Sequence, residues 1–184
     1  MNMSIHVWHM LIQATSQILK EIKTIWYFGF NSGLRGGERL TRIEKSIVIN
    51  ASPEKIGSIA QFDKLPEWQP EWKTVEWTSE DKNKVGSTLH LVGEVSGFKS
   101  EIDLELTDFI KNEKAMWRTI GGNMTGIGSM TFTPTEEGTK FSMVIDYELP
   151  YSVLGKLIDK LRVRKAIDKS YDEALKRLKD MAEK

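Results

Sequence analysis

Apolar residues recur at two different periods along this chain, and the changes of period divide it into three stretches. In the first, Ile5, Trp8, Leu11, Ile12, Ile18, Leu19, Ile22, Ile25 and Trp26 mark one helical face, with Gln13, Gln17, Lys20, Glu21 and Lys23 on the other. After Phe30, the segment Asn31-Ser32-Gly33-Leu34-Arg35-Gly36-Gly37 has a flexible linker's composition, which sets a boundary near Leu40 between residues 1–40 and 41–184. From Thr41 the period falls to two. The last stretch, Ser152 to Lys184, returns to helical spacing through Leu154, Leu157, Ile158, Leu161, Ile167, Tyr171, Leu175, Leu178 and Met181. Pro150 blocks helix upstream and Ser152 supplies a capping hydroxyl, so this long amphipathic helix has a defined start and one face that must be covered.

The middle stretch reads as strands with a helical interruption. Ile43, Ile47 and Ile49 alternate with Glu44, Ser46 and Val48, as in a strand with one face on a core. Ser52 and Pro53 then fit the cap and first position of a short helix reaching about Gln61. Pro66 and Pro70 break the chain around Trp68 and Trp72, predicting a turn or second short helix that holds two large aromatics. Six strands follow, over Val75–Glu80, Ser87–Val95, Phe98–Ile110, Ala115–Ile120, Gly126–Pro134 and Thr139–Leu149, joined by hairpin-length connections. Ile102, Leu104 and Leu106 alternate with Glu101, Asp103 and Glu105, so one face of an antiparallel sheet is buried and the other wet. The prediction is an α+β domain in which a curved antiparallel sheet of about seven strands wraps the C-terminal helix.

Composition narrows the function. Lys+Arg and Asp+Glu both number 26 in 184 residues, so no net field attracts nucleic acid, and none is expected as a partner. The absence of Cys removes disulfides and thiolate chemistry. No stretch resembles a spanning helix or a cleavable signal, which places the expected protein in the cytoplasm. The N-terminal helix gives a route to a peripheral membrane or protein contact through Trp8, Trp26, Tyr27 and Phe28. Catalytic candidates are sparse: His6 and His9 precede the domain, and His90 shares the outward parity of Thr88 and Val92. No His/Asp/Glu cluster has metal-ligand spacing and no phosphate-binding loop follows a strand, so no catalytic residue, metal or cofactor is assigned.

The order of one strand, two short helices, six strands and a long helix is that of the helix-grip fold. The run Asn50-Ala51-Ser52-Pro53-Glu54-Lys55-Ile56, then Asp63-Lys64-Leu65-Pro66-Glu67-Trp68, Val85-Gly86-Ser87, Phe132-Thr133-Pro134 and Gly138-Thr139 resemble the START-like SRPBCC superfamily. Within it, the polyketide cyclase/dehydrase and lipid-transport branch, which includes coenzyme-Q-binding proteins, is the most similar. The resemblance runs from about Ile43 to Met181, and each motif in it is structural. It implies an apolar cavity between sheet and long helix that holds a small hydrophobic ligand: a lipid, sterol, quinone or polyketide-like molecule.

The expected cavity walls follow from strand parity. From the sheet come Leu89, Leu91, Ile102, Leu104 and Trp117, then Met130, Phe132, Phe141, Met143, Ile145 and Tyr147. The helix contributes Leu157, Leu161 and Tyr171, and Trp68 and Trp72 either gate the mouth or plug one end of the core. Each of these side chains equally suits plain core packing. Gly126 and Gly128 remove two side chains from the inner face, leaving space for a ligand or for Trp117. Three functions fit: a carrier or sensor of an apolar molecule, a polyketide cyclase/aromatase-like enzyme, or an interaction module recruited through the N-terminal helix.

Overall fold

The computed structural model describes residues 40–95, 97–148 and 157–184, with side chains not described at 157–160. The predicted N-terminal helix, the glycine-rich linker and the Ser152 cap lie outside the described residues. Strand β1 (Thr41–Ile49) leads into helix α1 (Pro53–Ile59), a single 3-10 turn (Phe62–Lys64) and helix α2 (Leu65–Trp68). Six strands follow: β2 (Trp72–Trp77), β3 (Thr88–Val95), β4 (Phe98–Ile110), β5 (Lys114–Gly122), β6 (Thr125–Thr135) and β7 (Gly138–Glu148). Helix α3 (Leu157–Ala182) closes the order.

Local chemistry fixes the interruption between β1 and β2. Ser52 takes an extended conformation and its Oγ accepts from the Lys55 backbone N–H at 3.3 Å, while Pro53 occupies the first helical turn, where no N–H is needed. Pro66 likewise sits in the first turn of α2. The Gln69 N–H closes that helix onto the Leu65 carbonyl at 2.7 Å, and Pro70 then cannot continue it. The predicted corner thus holds a real second helix that ends at Trp68, while Trp72 opens β2, which starts three residues earlier than the alternation suggested.

All seven strands form one antiparallel sheet in the order β1-β7-β6-β5-β4-β3-β2. The meander from β2 to β7 therefore returns beside β1, and α1 and α2 carry the chain across to the far edge. Register shifts in the β4–β5 pair, between Asp103 and Leu104 and between Leu106 and Asp108, and a third between Trp72 and Thr74, bend the sheet. Its inner face carries the core predicted from parity, including Ile49, Leu89, Leu91, Leu106 and Phe141, all at most 1% exposed.

Helix α3 buries Val163, Ile167, Tyr171, Ala174, Leu178 and Ala182, spaced by three or four residues along one face. Leu161, expected on that face, is 54% exposed. At about 100° per residue it lies roughly 120° around the helix from Ile167, so the covered stripe passes through Val163 instead. Polar ties fasten the helix along β1: Lys45 Nζ meets Asp168 at 3.1 Å and Asp172 at 3.0 Å, and Lys179 Nζ donates to the Val48 carbonyl at 2.9 Å.

Candidate functional site

The inner face of the sheet is packed differently at its two ends. At the end nearest α1, Trp68 stands edge-on to Phe141 with centroids 6.1 Å apart, and Phe141 meets Phe132 at 5.0 Å. Phe62 bridges Trp117 at 5.6 Å and Trp77 at 6.1 Å in the same edge-to-face manner. Trp68 is fully buried and is not among the walls of the two apolar cavities farther in. Leu89 and Phe141 also fill the core. Gly128 belongs to this packing, because a Cβ there would stand 2.5 Å from the Trp117 indole. The missing side chain is thus occupied by a neighbour's ring.

Farther in, space remains. An apolar cavity of about 40 Å³ lies beneath Leu91, Ile102, Leu104, Trp117, Met130 and Met143. A second, of about 50 Å³ by the same measure, lies toward the β3–β4 turn, bordered by Glu71, Gly93, Val95, Phe98, Ser100, Ile167 and Ser170. Trp72, Met124, Ile145, Tyr147 and Tyr171 wall both. A water needs roughly 10–15 Å³ on this scale, so each cavity holds only a few, and a lipid-sized guest requires the walls to move. Trp72 and Met124 are only half-buried and stand where such movement is cheapest. Phe132 and Met130 also border a wider groove of about 600 Å³ between α1 and the β4–β5 turn, but its rim is polar, with Glu54, Gln61, Asn83, Lys111 and Lys114. Leu157 lies among the side chains not described, and Leu161 points away from either cavity.

Backbone crossings place the polar groups at the second cavity. The Glu94 N–H donates to the Glu71 carbonyl at 2.9 Å, bringing β3 against the α2–β2 connection. Gly93 permits that approach, since a Cβ would come within 2.6 Å of the same carbonyl. Burial raises the Glu71 carboxyl above the ordinary carboxylate range; Ser170 partly offsets this by hydrogen bonding and Glu173 adds to it. Gln69 Nε2 reaches Glu71 Oε1 only at 3.5 Å. Burial pushes the Tyr147 phenol up to about 12 and Tyr171 higher still, so both stay protonated. Sequence reasoning passed over Glu71 and Ser100. Ser100 shares the inward parity of Ile102 and Leu104, which was a readable signal, whereas nothing around Glu71 marked it as enclosed.

The convex face holds the other titratable candidates. His90 Nδ1 lies 2.8 Å from Asp103 Oδ1, and that hydrogen bond raises its pKa. Arg118 pairs with Glu105 at 2.6 Å and Asp146 with Arg42 at 2.9 Å, both outside the cavity. Among the described residues no three His, Asp or Glu side chains cluster as metal ligands, and no helix is long and apolar enough to cross a membrane.

Comparison with known proteins matches this architecture. The model of a family described as polyketide cyclase / dehydrase and lipid transport matches residues 41–183. An uncharacterized 17.2 kDa protein of Streptomyces lincolnensis is 27% identical over 124 residues, 66% of this chain and 78% of that protein. Among solved structures, an aromatase/cyclase from a Streptomyces species superimposes with a TM-score of 0.65 at 13% identity, covering 78% of this chain and 94% of the other. A START superfamily protein from Mycobacterium smegmatis gives 0.57 at 21% identity, covering 77% and 94%. At these identities the structures speak to fold alone.

Proposed function

The chain belongs to the polyketide cyclase / dehydrase and lipid transport family, and from that premise we propose that its helix-grip domain binds a small hydrophobic ligand between the sheet and α3. One observation carries the reading: two mainly apolar cavities share the five walls Trp72, Met124, Ile145, Tyr147 and Tyr171. A core with no cargo would gain dispersion energy by filling that space, as the aromatic end does. The ligand enters past the half-buried Trp72 and Met124, and its apolar body displaces the few waters that fit. Carriage or sensing is the primary role, because ligand burial needs no group beyond those present.

A cyclase-like enzyme is the second reading, favoured by the enclosed Glu71 carboxyl beside two phenols, a set able to exchange a proton with a bound ketone. The test of the shared premise is a fluorescence titration with the neutral apolar dye N-phenyl-1-naphthylamine. Met124→Trp, which thickens a wall common to both cavities, should weaken dye binding at least tenfold while leaving the melting temperature within a few degrees. Equal dye affinity in the two proteins would place the apolar site elsewhere.

A further inference from the structure

Among the described residues four buried side-chain polar atoms have no hydrogen-bond partner, the Trp68 and Trp77 indole N–H groups and the Tyr147 and Ser100 hydroxyls, and of these the two hydroxyls belong to residues that border one cavity. Tyr147 Oη and Ser100 Oγ are buried and unpaired, on residues 1% and 8% exposed, and both residues, from β7 and β4, border the cavity at the β3–β4 turn. An unmet buried hydroxyl is costly, and in a cavity wall the missing partner is readily supplied by a guest. Among the described residues that border this cavity, Glu71 brings a half-buried carboxyl, whereas Glu94 is an exposed residue on the outward parity of β3 and meets the wall through its backbone N–H on the Glu71 carbonyl. No described lysine, arginine or histidine lines it. Arg164 and Arg177 influence Tyr147 and Glu71 only at a distance, from exposed positions on α3.

We infer that this cavity selects ligands whose apolar body carries an uncharged oxygen acceptor, a carbonyl foremost, held by Tyr147 Oη and Ser100 Oγ, and that it rejects carboxylates and phosphates. The inference rests on the cavity being the ligand site. A carbonyl oxygen has two lone pairs and accepts from both hydroxyls at once, satisfying each. A carboxylate in the same place faces the Glu71 carboxyl with no described cation against it, in surroundings that strip its hydration. Fatty acids and phospholipid head groups are therefore poor guests, and ketones, quinone-like molecules and similar neutral oxygen-bearing compounds are good ones.

The test uses three probes of matched shape on the full chain at pH 7.5: 2-acetylnaphthalene, 2-isopropylnaphthalene and 2-naphthoate, titrated by calorimetry. The expected result is 2-acetylnaphthalene binding about tenfold more tightly than 2-isopropylnaphthalene, with 2-naphthoate weakest, as one or two hydrogen bonds and one desolvated charge require. Tyr147→Phe and Ser100→Ala should each shrink the acetyl-over-isopropyl ratio several-fold and leave 2-isopropylnaphthalene affinity in place, which also reports that each variant is folded. A wild-type ratio near one, a ratio unmoved by both substitutions, or 2-naphthoate as the tightest probe would overturn the inference while leaving the apolar site standing. Failure of all three probes to bind would overturn the apolar site and this selectivity together.

Discussion

At one end of the sheet's inner face Trp68, Phe141 and Phe132 lock edge to face, whereas at the other Trp72, Met124 and Tyr147 border voids; buried polar groups go unpaired at both, the Trp68 indole N–H at the first and the Tyr147 hydroxyl at the second. Phe141 and Tyr147 lie on the same strand, six residues and roughly 20 Å apart. One strand thus serves both a filled core and an incompletely filled one. Aromatic density supplies stability at the filled end, and the other end gives up dispersion contacts. This division predicts that substitutions at the two ends separate stability from binding.

The largest expected effect is at the filled end. Trp68→Ala removes a fully buried indole and should cost about 3–5 kcal/mol of unfolding free energy in a denaturant titration. A loss under about 1 kcal/mol would show that this end is not filled. Next comes Gly128→Ala, which sets a methyl against the Trp117 ring and should cost about 1–3 kcal/mol, with a change in tryptophan emission as the ring is displaced.

The smallest effect, and the most informative about the open end, is at Glu71. Its folded pKa lies above the unfolded value, so the folded protein disfavours the carboxylate. The resulting penalty is absent below the unfolded pKa, grows as pH rises toward the folded pKa and stays constant above it. Glu71→Gln should therefore raise the melting temperature at pH 7–8, and the gain should fade as pH drops to about 4. A gain independent of pH would trace to packing instead of charge.

Most of the fold was legible because its signals are local. Ser52-Pro53 announces a capped helix, Gly-containing turns announce hairpins, and the parity of Ile102, Leu104 and Leu106 names the buried face. The site was legible only as a face. Leu89 and Phe141 share parity with Leu91 and Ile145, yet the first two fill the core and the last two meet space, because what covers each position from α2 and α3 is set by tertiary packing that no periodicity records. Leu161 misled for another reason: a helix bearing apolar residues around more than one face leaves its buried stripe to be settled by tertiary contact. Glu71 was hidden because an acidic residue beside a proline reads as surface, and its enclosure arises from the crossing of β3 beneath it.

The most direct test of the central claim is native mass spectrometry of gently purified full-length protein, followed by organic extraction of whatever mass is released. The account predicts a neutral apolar adduct at one per chain, or its appearance after incubation with a mixed lipid and quinone extract, and its loss in Met124→Trp. A bare chain mass under both conditions would contradict it.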